Sequence, residues 1–79
     1  PVHSFEPFID RDAASPVARQ LYLSLRKAIL TGQIRPASRL PSTRLAGMEW
    51  GLSRGVVAEA YDILITEGYA RGVHGAGTF

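Results

Sequence analysis

Cysteine is absent from this 79-residue sequence, and so is any apolar run long enough to cross a membrane. Without cysteine the chain has no disulfide framework and no thiolate metal site, which fits a reducing cytoplasm. A membrane span needs roughly 18 apolar residues, and the N-terminus also lacks the basic and then apolar layout of a signal peptide. These absences predict a soluble, cytoplasmic chain that makes no membrane contact.

Groupings of side chains typical of enzymes are also missing. The two histidines, His3 and His74, stand at opposite ends of the chain, and the carboxylates form no evident pair. The spacing shows no nucleophile beside a base and no set of metal ligands. We therefore expect a chain that is not an enzyme and that holds neither a metal nor a cofactor.

Acidic residues are scarce in one half of the chain, and this asymmetry points to a class of partner. The net charge is only +2, but residues 17–58 hold seven arginines and lysines opposed by Glu49 alone, whereas the remainder holds two arginines and six carboxylates. Concentrated positive charge attracts polyanions, because phosphate contacts release condensed counterions. On charge alone, a solvated basic face is an equal alternative.

The hydrophobic pattern divides the chain into an arm and one small domain, for which 79 residues with 46% hydrophobic content suffice. Residues 1–14 have no sustained period and are predicted to be an arm or linker, with room for a short strand around Phe8 and Ile9. Residues 15–79 form the predicted domain. Its first helix covers about 16–31, begins at Ser15-Pro16 with the serine as cap, and ends at Gly32.

Two further helices follow at short range. The second covers about 43–50 after a cap-like Pro41-Ser42-Thr43, and Gly51 supplies its left-handed stop, with Leu52 packing behind it. The third begins at Ser53 and ends at Gly68. The apolar positions that predict a buried face are Leu21, Leu25, Ala28 and Ile29 in the first helix, Leu45, Ala46 and either Met48 or Trp50 in the second, and Val57, Ala60, Tyr61, Leu64 and Ile65 in the third.

The C-terminal residues have a different character. Residues 69–73 and 77–79 favour strands on either side of a glycine-containing tip at 74–76, which predicts a hairpin. The second strand stops abruptly at Phe79, so we expect the chain to be the N-terminal part of a longer protein. Three helices and a hairpin, with three residues between the second and third helices, predict a mainly α fold with a small β-hairpin, the winged helix-turn-helix.

In that fold the third helix enters the DNA major groove with its N-terminus first. Arg54 stands in the first turn, where the helix dipole disfavours a cation by up to about 1 kcal/mol. A phosphate or a guanine would compensate, since the guanidinium can donate to two acceptors. Ser53 can cap its helix and still lie near a phosphate, and Gly55 permits a close approach although it costs about 1 kcal/mol against alanine.

The other candidates lie in the second helix and in the C-terminal hairpin, which is the wing of this fold. Arg44 is expected to contact phosphate at the same groove edge, the alternative being a surface ion pair with Glu49. His74 and Gly75 are placed to reach a minor groove, although His74 can equally be a plain turn residue. Four other cations of the basic half are candidates for long-range electrostatics, although ordinary solvation is the better account of any single one: Arg26, Lys27, Arg35 and Arg39.

Five motifs in fixed order give the sequence a specific resemblance: RQLYLSLRKAILTGQI, RLPSTRLA, GLSRGVVAEAYDIL, EGYARG and GAGTF. Over about residues 16–79 it resembles the DNA-binding domain of the GntR family of bacterial transcription regulators. The resemblance implies a homodimeric, effector-responsive repressor or activator that binds double-stranded operator DNA. The predicted DNA-binding set comprises the positions that match the family's contacts, together with four neighbours in the same motifs: Arg44, Ser53, Arg54, His74 and Gly75, and Ser42, Thr43, Thr78 and Gly55 beside them.

Within that family the sequence is most similar to the MocR/PdxR branch, through LPSTR and AYDILITEGY. This implies a linker to a large domain similar to fold-type I aminotransferases, which binds pyridoxal phosphate outside the present chain. Two departures reduce the expected contacts, because many members have threonine at the position of Val56 and some have arginine at that of Ala58. Arg54 should then carry a larger share of recognition. The rival hypothesis is a winged helix that uses its basic face to bind an acidic protein.

Overall fold

The computed structural model describes residues 5–79; residues 1–4, with the start of the predicted arm and His3, lie outside the described residues. The described chain folds into three helices and a two-stranded antiparallel sheet in which Gly72 pairs with Thr78 and Val73 with Gly77. This confirms the predicted winged helix-turn-helix. The elements are α1 (Val17–Leu30), α2 (Thr43–Trp50), α3 (Arg54–Thr66), β1 (Gly72–Val73) and β2 (Gly77–Thr78).

The core lies between α1 and α3. Leu21 and Leu25 from α1 and Val57 and Leu64 from α3 are fully buried, as the periodicity of both segments predicts. Burying a side chain of this size contributes about 1.5–3 kcal/mol. These two helices therefore form the scaffold on which α2 and the hairpin are placed. None of the helices found between residues 5 and 79 is long and apolar enough to cross a bilayer.

Leu45 and Ile65, both predicted to be buried, are instead exposed. Leu45 is 44% exposed and Ile65 is 37% exposed. The eight-residue α2 covers the core with a narrow stripe formed by Ala46 and Gly47, so the neighbouring Leu45 faces outward. Ile65 lies at the margin of the α3 stripe, where its Cδ1 atom approaches Gly72 of the hairpin.

The predicted start of α1 is wrong by one residue. Pro16, in extended conformation, occupies the cap position, and no side chain caps this helix. Ser15 instead accepts a hydrogen bond at its carbonyl from the side chain of Gln20, at 2.8 Å. The strand considered around Phe8 and Ile9 is also wrong, because residues 5–10 have no regular structure.

The antiparallel backbone pairing of the hairpin extends beyond the residues of β1 and β2. Arg71 and Phe79 exchange two backbone hydrogen bonds, of 2.8 and 2.9 Å, beyond the pair formed by Gly72 and Thr78. On its other side β2 is bound by the connector before α2, because the Leu40 amide donates to the Thr78 carbonyl at 2.8 Å. The wing is thereby attached to the residues that lead into α2.

Candidate nucleic-acid interface

The entrance of α3 is capped from within and open to solvent. The Ser53 Oγ accepts the Val56 amide at 3.1 Å, which confirms the predicted cap. Arg54 and Gly55, the first two helical residues, are both exposed, and a Cβ built on Gly55 meets no atom within 4 Å. A long cation and a gap in the side-chain surface therefore lie side by side at the positive end of the α3 dipole.

The turn between α2 and α3 is fixed by a close backbone approach. Gly51 adopts a left-handed conformation with φ of 67°, as predicted, and the Leu52 amide donates to the Gly47 carbonyl at 2.9 Å. A Cβ on Gly47 would lie 2.7 Å from the Leu52 carbonyl oxygen, too close for any side chain without a shift. The sequence prediction missed Gly47, although glycine inside a helix is itself a signal of close packing.

The entrance of α2 has the same cap and an additional anchor. The Ser42 Oγ accepts the Leu45 amide at 3.1 Å. The Tyr61 hydroxyl of α3 donates to the Pro41 carbonyl at 2.7 Å, and burial raises the pKa of Tyr61 above its ordinary value, so the phenol stays a neutral donor. The start of α2 is thus tied directly to the middle of α3.

The remaining α2 candidates differ in exposure. Arg44 is exposed, whereas Thr43, the first residue of the helix, is half-buried. Side chains pair along a helix at spacings of three or four residues. Arg44 and Glu49 are five residues apart, or about 140° around the axis, so helical geometry disfavours the ion pair considered for them. Arg44 thereby keeps its guanidinium available to a partner outside the chain.

The wing presents its tip to solvent and its base to the connector before α2. His74 and Gly75 are exposed, and Gly75 has the positive φ of 80° that the turn requires. Thr78 is half-buried, with its carbonyl bonded to Leu40. The structure places the Arg39 guanidinium against the wing, because a Cβ on Gly77 would lie 2.8 Å from its Nε. No pattern in the sequence predicts this contact.

One residue of the arm reaches this interface. The Arg11 guanidinium donates from Nη2 to the Gly51 carbonyl at 2.7 Å, across forty positions of sequence. Sequence reasoning missed this contact, since the arm has no period that would predict its path. Arg11 therefore adds a cation beside the turn that leads into α3.

A cleft of about 520 Å³ lies between α1, α2 and the connector. Its walls are mostly apolar, with Phe5, Leu45 and Trp50 among them, and its charged members are Arg39 and Glu49. In the described stretch from residue 5 onward, no three His, Asp or Glu side chains come close enough to hold a metal ion. The cleft offers apolar contact rather than a set of reactive groups.

Known proteins share the sequence pattern and the fold of this chain. The family described as "Bacterial regulatory proteins, gntR family" matches residues 17–79. The chain is 45% identical over 71 residues to the probable rhizopine catabolism regulatory protein MocR of Rhizobium meliloti, with 90% of this chain and 14% of that protein covered. It is 39% identical over 62 residues to the pyridoxine biosynthesis regulator PdxR of Corynebacterium glutamicum, with 78% and 14% covered. The chain thus spans about one seventh of the length of these curated relatives.

A solved structure with the same fold is the AraR DNA-binding domain in complex with the operator ORX1. The similarity has a TM-score of 0.81 at 25% identity and covers 98% of this chain and 96% of that one. These proteins are regulators and DNA-binding domains, and the comparisons place this chain with them rather than with enzymes. The match over residues 17–79, the relatives and the winged helix-turn-helix together show that the chain belongs to the GntR family of bacterial regulatory proteins.

Proposed function

We propose that this chain is the DNA-binding domain of a transcription regulator and that the entrance of α3 recognises operator DNA in the major groove. The observation that carries the proposal is the exposed Arg54 beside the Ser53 cap, in a fold similar to one crystallised on an operator. The dipole disfavours this cation by up to about 1 kcal/mol in the free protein. A phosphate or a guanine edge reverses that penalty when DNA is bound.

The other candidates complete a footprint on both sides of α3. Arg44, with Ser42 and Thr43, binds phosphate at the start of α2, where free helical amides also attract anions. Gly55 admits the DNA to close range, because its Cβ position is empty. His74 and Gly75 lie near the adjacent minor groove, with Thr78 at the base of the wing. The support for this footprint is the order of the elements in the fold and the exposure of its members other than the half-buried Thr43 and Thr78.

For the longer protein, we propose a cytoplasmic homodimer in which a C-terminal domain binds pyridoxal phosphate. The support is the similarity to MocR and PdxR, of which this chain matches only a seventh. A dimer presents two α3 entrances to two half-sites and raises the effective concentration of the second contact. Mass spectrometry of the full-length protein under native conditions tests both the dimer and the bound cofactor.

The DNA-binding proposal is tested by comparing Arg54→Met with Arg35→Met, since each removes one exposed arginine. Binding is measured on a duplex that the wild-type chain selects from a random library, and on a random duplex, over a range of salt concentrations. Arg54→Met should weaken binding to the selected duplex by about 1–3 kcal/mol. Arg35→Met should weaken binding only slightly, because it removes one charge outside the proposed set of DNA contacts.

Two results would contradict the proposal. One is equal binding by both variants to the selected duplex. The other is duplex binding by the wild type no stronger than that of a neutral domain of equal size at low salt. Either would favour the rival function, in which the basic face binds an acidic protein.

A further inference from the structure

The N-terminal arm contacts the turn between α2 and α3, although the arm precedes the segment that matches the family. That match begins at residue 17, yet Arg11 donates a 2.7 Å hydrogen bond to the Gly51 carbonyl. Gly51 ends α2 in the left-handed conformation. The last carbonyls of a helix lack helical partners, and a cation there is favoured by the negative end of the dipole. Arg11 therefore serves as a side-chain cap for the C-terminus of α2.

The position of Arg11 is itself fixed by a turn held against α1. The Asp10 amide donates to Gln20 Oε1 at 2.7 Å, and Gln20 Nε2 donates back to the Asp10 carbonyl at 3.0 Å. Asp10 also accepts the Asp12 amide on its side chain at 3.0 Å and the Ala13 amide on its carbonyl at 3.2 Å. The arginine is thus presented from a turn with defined hydrogen bonds.

A second contact holds the arm to the end of α2. The Phe5 and Trp50 rings meet edge to face with centroids 5.5 Å apart, and Ile9 packs against the core. Phe5 and Arg11 therefore contact the last residue of α2 and the residue after it. The arm binds α1 through Gln20 and the end of α2 through these two side chains.

The orientation of the Gly51 carbonyl affects the position of the α3 entrance. It lies two residues before the Ser53 cap, and the space around Gly51 on its Cβ side is empty to 4 Å. Apart from the bond between Leu52 and Gly47, Arg11 supplies the hydrogen bond that orients this peptide. Rotation of the peptide would redirect the start of α3.

We propose that Arg11 is a positioning residue for DNA recognition, which fixes the entrance of α3 by holding the Gly51 carbonyl. The proposal rests on the proposed function, and it assigns Arg11 an effect through the turn rather than a contact with DNA. It extends the recognition unit into the arm, before the segment that matches the family.

The binding test compares Arg11→Met with Arg35→Met, which remove the same charge. On the duplex selected by the wild type, Arg11→Met should bind about five- to tenfold more weakly than Arg35→Met. On random duplex the two variants should bind alike and show the same salt dependence. In an Arg54→Met background, Arg11→Met should cause little further loss, since both changes act at one entrance.

The opposite pattern overturns the proposal. If Arg11→Met lowers random-duplex affinity and reduces the salt slope by about one phosphate contact more than Arg35→Met, Arg11 touches DNA directly. If its effect adds fully to that of Arg54→Met, or if Arg11→Met binds the selected duplex as Arg35→Met does, it does not act through α3.

A measurement without DNA separates this proposal from the proposed function. Amide hydrogen exchange should accelerate at Leu52 and Val56 in Arg11→Met, and stay unchanged in Arg35→Met, with the Leu25 amide of the core as the reference for global stability. Unchanged exchange at the turn would overturn the positioning role. If the wild-type chain selects no duplex, the proposed function fails, while exchange still decides whether Arg11 orders the turn.

Discussion

The entrances of α2 and α3 are built alike and held differently. In each, the hydroxyl oxygen of a serine accepts the amide three residues ahead at 3.1 Å, Ser42 from Leu45 and Ser53 from Val56. The α2 entrance is also held by α3, because the Pro41 carbonyl before it accepts a hydrogen bond from the Tyr61 hydroxyl. The α3 entrance has no such tie within residues 5–79 and depends on the turn that precedes it.

This difference indicates that the α2 entrance has a structural role and that the α3 entrance is suited to DNA recognition. The connector before α2 contacts both α3 and the wing, so it holds three elements in one arrangement. The α3 entrance keeps its first residues exposed and open, which suits a surface that must meet a large polyanion. Substitutions at Gly47, Tyr61, Ser42 and Ser53 test the contacts that hold the two entrances, and a substitution at Gly55 tests the open surface of the α3 entrance.

The largest effect on stability is expected from Gly47→Ala. Helix propensity alone predicts a gain of about 1 kcal/mol. The new Cβ would lie 2.7 Å from the Leu52 carbonyl, and such overpacking against the backbone should instead lower the free energy of unfolding by about 2 kcal/mol. Urea denaturation measures it. A more stable variant would show that the turn relaxes easily and does not fix α3.

Tyr61→Phe should cost about 1–2 kcal/mol, because it leaves the Pro41 carbonyl without its donor. It should also change the pH dependence. Burial raises the Tyr61 pKa in the folded state, so this stabilisation is present below the ordinary pKa of about 10 and is lost as pH rises above it. The wild type should therefore lose more stability than Tyr61→Phe in alkaline solution. Parallel curves in thermal unfolding against pH would argue against this role.

Ser42→Ala and Ser53→Ala should each lower the free energy of unfolding by about 1 kcal/mol, since their caps have the same geometry. The loss of affinity for the selected duplex should be larger for Ser53→Ala than for Ser42→Ala. Without Ser42, α2 is still held through Tyr61, whereas without Ser53 the α3 entrance frays. Titration of both variants with the duplex measures the affinities. Equal losses would contradict the distinction between a structural α2 entrance and a DNA-recognising α3 entrance.

The smallest change in stability is expected from Gly55→Ala, with the opposite sign. No atom lies within 4 Å of the new Cβ, so the variant should gain up to about 1 kcal/mol from helix propensity. Its affinity for the selected duplex should nevertheless fall, because the Cβ fills the gap through which DNA approaches. Thermal unfolding and duplex titration on the same sample test both halves. Unchanged or tighter binding would show that DNA does not come close at Gly55.

Much of the fold could be predicted because its signals are local. The bounds of α2 match the prediction at 43–50, and those of α1 and α3 lie within one or two residues of it. Gly51 and Ser53 serve as stop and cap as expected. The errors at Leu45 and Ile65 lie at the margins of hydrophobic stripes, where sequence period cannot tell which neighbour covers a side chain. The nine predicted DNA-binding residues stay a prediction, although seven of them are exposed.

The sequence by itself determined the order of elements, the buried faces of α1 and α3, and the arginine at the α3 entrance, because each depends on residues close together in the chain. Only the tertiary structure decided how the entrances are held. The bonds from Tyr61 to Pro41 and from Arg11 to Gly51 join residues twenty and forty positions apart, and Gly47 is constrained by a carbonyl beyond its own helix. Such contacts follow from the packing of helices in space, which no local pattern encodes.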